Sequence, residues 1–140
     1  VSRVTLVTEG DDQIVEQITK QLNKLICVIK VIDFQEAIHV EREMALIKVA
    51  VDERTRNEIL NIVSIFRAKV IDVDPRSFII EVTGDEGKIE AILNLLKPLG
   101  IKEIVRTGKV ALHRGGQILS ASARGETVEL NKKNQKEKAA

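Results

Sequence analysis

Three short charged clusters hold the side chains best suited to chemistry: Glu41-Arg42-Glu43, Phe66-Arg67 and Arg106-Thr107-Gly108-Lys109. The chemistry they suit is ion pairing, because an arginine fork can take a carboxylate bidentately. Glu41-Arg42-Glu43 reads either as the solvated start of a strand or as an interdomain or intersubunit contact. Phe66 reads as core, and Arg67 as either a cation at a helix C-terminus or a partner contact. Arg106 and Lys109 flank a backbone break, which is either a simple bulge or turn or a partner-binding loop.

Catalytic chemistry finds little to work with. His39 and His113 lack any H-x-x-x-H or Cys/His spacing, so no metal site is expected. No Gly-x-Ser-x-Gly elbow occurs. Thr83-Gly84-Asp85-Glu86-Gly87-Lys88 resembles a phosphate loop only superficially, since two carboxylates stand where phosphate would sit. Gly84 is better explained as a turn before a helix. Cys27 is the single cysteine, which rules out an internal disulfide; within a β-rich run it reads as a small buried apolar residue.

Composition narrows the partners. The 22 basic and 21 acidic residues leave a net charge of +1, so no global field draws the chain to nucleic acid or an acidic membrane. Three Phe and no Trp or Tyr argue against base or sugar stacking. Among 140 residues, 44% apolar, there is enough for real cores but no membrane-length apolar run and no signal-peptide pattern. An intracellular location is expected: cytoplasm, or plastid stroma in a plastid-bearing host.

The elements that must position these clusters follow from periodicity. Residues 2–8 alternate around Val4 and Leu6 as a half-buried strand. Ile14, Val15, Ile18, Leu22 and Leu25 make an amphipathic helix from Asp12, capped by Asp11 or Asp12. Residues 26–34 read as a strand and 35–39 as a connection. Residues 44–51 form a long strand of central character. Asp52 caps a second helix with Ile59, Leu60, Ile62, Val63 and Phe66 inward, followed by a hairpin of 68–73 and 78–83 around Asp74-Pro75-Arg76-Ser77. A third helix spans 85–96, ended by Pro98 and Gly100. Extended pieces at 101–112 break at Gly108.

Residues 40–112 thus spell strand, helix, strand, strand, helix, strand, the βαββαβ order of a ferredoxin-like sandwich in the α+β class. Residues 1–34 spell only strand, helix, strand. A repeated motif links the two parts: Val7-Thr8-Glu9-Gly10-Asp11-Asp12-Gln13-Ile14 and Val82-Thr83-Gly84-Asp85-Glu86-Gly87-Lys88-Ile89. The first part therefore matches the second half of the same unit and lacks the strand that would bridge its two. Either roughly 35 to 40 further residues precede Val1, the allowance for one βαβ unit, or another chain supplies the strand. The expected organisation is a partial domain at 1–36, a complete one at 37–115, and a mobile or partner-ordered tail at 116–140.

Several stretches in this order resemble the small, regulatory subunit of acetolactate synthase (acetohydroxyacid synthase). They are Leu22-Asn23-Lys24-Leu25, Val40-Glu41-Arg42-Glu43-Met44-Ala45-Leu46-Ile47-Lys48-Val49, Ile65-Phe66-Arg67-Ala68-Lys69-Val70-Ile71-Asp72-Val73, Val82-Thr83-Gly84, and Ile104-Val105-Arg106-Thr107-Gly108-Lys109-Val110-Ala111-Leu112. The resemblance implies an ACT domain, of which 1–36 would be the C-terminal half, followed by a ferredoxin-like domain. It also implies homodimerisation through ACT sheets and docking on a catalytic subunit that carries thiamine diphosphate, Mg and FAD; no cofactor is expected on this chain.

By the same resemblance the chain is not an enzyme. It would raise the activity of the catalytic subunit and transmit feedback inhibition by valine or another branched-chain amino acid, a coupling between distant sites. Glu41, Arg42, Phe66, Arg67, Arg106 and Lys109 are the candidate contacts, with Arg67 and Arg106 gripping carboxylates on the catalytic subunit. The family's effector site lies in a segment that would precede Val1, so no residue here is assigned to it. Two other classes are weighed. A nucleic-acid-binding ferredoxin-like module would need exposed aromatics on its central strands, and a small enzyme would need a convergent catalytic set; neither is found.

Overall fold

The structure is a computed structural model that describes residues 2–35, 37–116, 118 and 127–128. In chain order its elements are α1 (Asp12–Asn23), β1 (Val31–Ile32), β2 (His39–Ala50), α2 (Arg56–Ile65), β3 (Lys69–Asp74), β4 (Ser77–Gly84), α3 (Glu86–Gly100), β5 (Ile101–Arg106), β6 (Val110–His113) and β7 (Thr127–Val128). Contacts group the chain into two compact units, one of Val1–Val40 with Ala111–Ala140 and one of Glu41–Val110. Residues 37–40 and 111–115 therefore group with the first unit.

The second unit is the ferredoxin-like sandwich. Its strands run in the order β3-β4-β2-β5. β2 is antiparallel to β4 from Glu43↔Gly84 to Ala50↔Ser77, and to β5 from Ala45↔Arg106. Side chains alternate faces along a strand, so Glu43, Ala45, Ile47 and Val49 point one way and are buried. Opposite residues share a face, which adds Phe78, Ile80 and Val82 of β4. Ile59, Ile62 and Val63 of α2 and Ile89, Ile92 and Leu96 of α3 close over them as one core. Each such fully buried side chain contributes about 1.5–3 kcal/mol.

β2 starts at His39 rather than at residue 44, so Glu41-Arg42-Glu43 lies within the strand and not ahead of it. Asp52 closes the turn before α2: its Oδ1 accepts from the Thr55 N–H at 2.8 Å and the Arg54 N–H at 2.9 Å, and Thr55 is the residue preceding Arg56. Those donors, the Thr55 N–H foremost, hold the Asp52 carboxyl below its ordinary range. α3 starts on Asp85, whose Oδ1 accepts from the Lys88 N–H at 2.8 Å. It then runs through Pro98 to Gly100, past the expected stop. Near a helix end the missing proline N–H removes only the donor to the carbonyl of Asn94, an exposed residue. The chain turns at Gly100, where φ is 96°.

The first unit departs further from expectation. α1 is capped by Asp11, which accepts from the Ile14 N–H at 3.0 Å, but none of its residues is buried. Residues 2–8 form no strand, and Val4, Leu6 and Val7 are exposed. Of the 26–34 strand only β1 remains, parallel to β7 through Val31↔Thr127 and Ile32↔Val128. An alternating pattern becomes a strand only where another backbone completes the ladder; among the described residues none pairs with 2–8. Cys27 is exposed, contrary to the buried role expected of it. Within the 116–140 tail, β7 is a strand, and 117, 119–126 and 129–140 lie outside the described residues.

Candidate functional site

β2 and β5 bring the first cluster and the third together. Arg106 stands opposite Ala45, and Glu43 lies two residues along on the same face of β2. Arg106 is therefore a diagonal neighbour of Glu43. Its Nε donates to Glu43 Oε1 at 2.7 Å and its Nη2 to Oε2 at 2.9 Å, a fork-on-fork pair. Nη1 donates to Glu90 Oε1 at 2.5 Å, and Lys109 Nζ pairs with Glu86 Oε2 at 2.5 Å. Glu86 and Glu90 are one turn apart on α3 and so share a side of it. Three carboxylates and two cations interlock at this corner of the second unit.

Burial sets the electrostatics. Glu43 is only 5% exposed, while the Arg106 side chain is 32% exposed. The Arg106 hydrogen bonds hold the Glu43 carboxyl below its usual range even though desolvation pushes the other way. Glu43 and Glu90 in turn raise Arg106, and the Glu86 hydrogen bond raises Lys109. These shifts hold Glu43, Arg106 and Lys109 in their charged forms near neutral pH. Thr107 fixes the strand end, its N–H donating to Met44 O at 3.0 Å and its Oγ1 accepting from the Met44 N–H at 3.1 Å. Gly108, with φ of 80°, then turns the chain.

The resemblance implies that Arg106 grips carboxylates on the catalytic subunit; within this chain Arg106 pairs with Glu43 and Glu90. Glu86 and Glu90 are not among the sequence candidates. A signal for them existed in the i, i+4 spacing on α3, but only the sheet register shows which strand end they face.

Arg67 is different. It is exposed and sits at φ 49°, the only described non-glycine residue with positive φ. The Arg67 N–H donates to Ser64 O at 3.1 Å and the Ala68 N–H to Val63 O at 2.9 Å. This is the Schellman end of α2, whose left-handed position usually belongs to glycine. An arginine there costs about 1–2 kcal/mol. Beside it Ile65 is 75% exposed, whereas Phe66 packs partly buried against the core. The end of α2 thus presents an apolar side chain and a cation on a strained, tightly bonded turn.

Glu41 and Arg42 lie within β2. Arg42 is exposed and its Nη1 donates to Glu41 O at 2.7 Å; Glu41 is half-buried within β2. In the first unit the Phe34 ring lies near both His39 and His113, with centroids at 5.2 and 4.7 Å. His39 Nδ1 is 2.7 Å from Ala37 O. Lys88 folds back on the Gly84 loop, its Nζ donating to Thr83 O at 2.9 Å. Among the described residues no cluster of His, Cys, Asp or Glu is arranged to hold a metal, and no helix is long and apolar enough to cross a membrane.

Known proteins share this framework. A family model described as the small subunit of acetolactate synthase matches residues 42–115. The acetolactate synthase small subunit of Aquifex aeolicus is 56% identical over 115 residues, 81% of this chain and 60% of that protein. A probable acetolactate synthase small subunit of Archaeoglobus fulgidus is 54% identical over 117 residues, 84% and 73% of the two chains. The crystal structure of the Thermotoga maritima acetolactate synthase small subunit superposes with a TM-score of 0.70 at 50% identity, covering 78% of this chain and 68% of that one. The chain thus spans 60% of the length of its Aquifex relative.

Proposed function

The chain belongs to the acetolactate synthase small-subunit family, and from that membership we propose that it is a non-catalytic regulatory subunit. It binds the catalytic subunit, raises its activity, and takes part in feedback inhibition by valine or another branched-chain amino acid. The observation that carries this reading is the match of the family model to residues 42–115, which covers the ferredoxin-like unit from β2 through β6. Homodimerisation through ACT sheets and the cofactors of the catalytic subunit belong to the same reading.

Within that unit the end of α2 supports the role of docking surface. Strain at an exposed non-glycine residue persists where it serves something besides stability, and Arg67 offers an exposed cation beside exposed Ile65. Arg106 and Lys109 serve this surface indirectly, by tying β5 and the following loop to α3 and β2. The test is acetolactate formation by the catalytic subunit with and without added chain. A higher rate that is reduced by Arg67→Glu supports the reading; an unchanged rate refutes it.

A further inference from the structure

In the first unit, strand-forming sequence outruns the backbone available to pair with it. Val28-Ile29-Lys30-Val31-Ile32 is mostly β-branched, the type that suits a pleated surface. Only Val31 and Ile32 of this run form β1, because a strand extends as far as a neighbouring backbone completes the ladder. That neighbour is β7, brought from the 116–140 tail. Thr127 stands beside Val31 and Val128 beside Ile32, in parallel, and among the described residues the two strands form a sheet of their own.

Parallel strands cannot be joined by a short turn, and here the whole second unit lies between the two in sequence. The tail sets out from a fixed point: the Arg114 N–H donates to Ile38 O at 3.1 Å and its Nε to His39 O at 3.3 Å. A tethered strand acts at high local concentration, which lets a short ladder hold. Two residue pairs are few, and a lone two-stranded pair is marginal in water. The contact is therefore one that opens. We propose that the β1 edge is an acceptor site for an extended, β-branched segment, and that β7 is its resident, displaceable occupant. Recognition is by strand addition, in which main-chain bonds give affinity and alternate side chains give selectivity. Another strand of this kind has to displace β7 before it can add to β1, so the tail sets the threshold for entry. The site lies wholly within the first unit and needs no catalytic subunit to be occupied.

The test uses the full chain, with NMR amide signals followed while a peptide copying residues 125–130 is added. Successive N–H groups of a strand point to opposite sides, so Thr127→Pro together with Val128→Pro removes whichever one faces β1. Both changes lie in the tail, and the Ile47 and Ile80 amides report that the second unit is unaltered. In the double variant, hydrogen exchange at the Val31 and Ile32 amides should quicken on the order of tenfold. The peptide should then shift those two amides at concentrations on the order of tenfold lower than in the wild type, the factor for a strand that is seated about nine-tenths of the time. A peptide carrying the same two prolines should shift neither. Unchanged exchange at Val31 and Ile32 in the double variant overturns the proposal. So does equal uptake of the peptide by wild type and variant, or a proline-bearing peptide that shifts the same amides.

Discussion

Removing Arg106 leaves a buried carboxylate without its counter-charge, and the cost follows from the geometry. Glu43 is 5% exposed and bonded at 2.7 and 2.9 Å to Nε and Nη2. Truncating one member of a fully buried pair costs 3–5 kcal/mol. The Arg106 side chain is 32% exposed, so water recovers part of that and Arg106→Ala should cost about 2–4 kcal/mol near neutral pH. In a domain of this size that lowers Tm by roughly 10–25 °C. Hydrogen exchange at the Ile47, Ile80 and Ile92 amides, with urea unfolding by circular dichroism, reads the second unit directly.

The sign with pH is fixed. In the wild type Glu43 titrates below its unfolded value, so its contribution is complete above the unfolded carboxylate pKa of about 4.3 and is lost as pH falls through the folded value. In Arg106→Ala the desolvated carboxyl titrates above the unfolded value, so that variant loses stability as pH rises and regains it in acid. The two effects act together: the gap between wild type and variant is widest near neutrality and closes on acidification. Glu43→Leu with Arg106→Leu should cost less than Arg106→Ala alone, since no charge is then stranded. A cost below about 0.5 kcal/mol at neutral pH, or a gap unchanged in acid, refutes this account of the corner.

Two further outcomes are expected. Arg67→Gly relieves the left-handed strain at φ 49° and should stabilise the second unit by about 1 kcal/mol, seen as a higher urea midpoint at constant slope, while weakening activation of the catalytic subunit; a lower midpoint contradicts the strain. Asp85→Ala removes the acceptor for the Lys88 N–H at 2.8 Å and should cost about 1 kcal/mol by the same measurement, with Asp85→Asn recovering most of it.

What was legible in the sequence was set by where the chain supplies its own neighbours. The ferredoxin-like unit could be read because β2, β4 and β5 complete each other's ladders and α2 and α3 carry matching apolar faces. The 2–8 segment alternates just as well, yet it forms no strand, since alternation encodes a face and not a partner. At the site, Glu41, Arg42, Phe66, Arg67, Arg106 and Lys109 stand out by type and spacing. That Arg106 turns to Glu43 and Glu90 depends on a register spanning 63 residues, as between Arg106 and Glu43, which no local pattern contains. The left-handed Arg67 was likewise hidden, because glycine is the residue that signals such a cap.

The most direct test of the regulatory role is a titration of the catalytic subunit of acetolactate synthase from the same organism with this chain, following acetolactate formation and co-elution on the same samples. The account predicts a rate that rises and saturates as a complex of both chains appears, with Arg67→Glu shifting the titration to higher concentration. An unchanged rate with the two chains eluting separately at every ratio would contradict it.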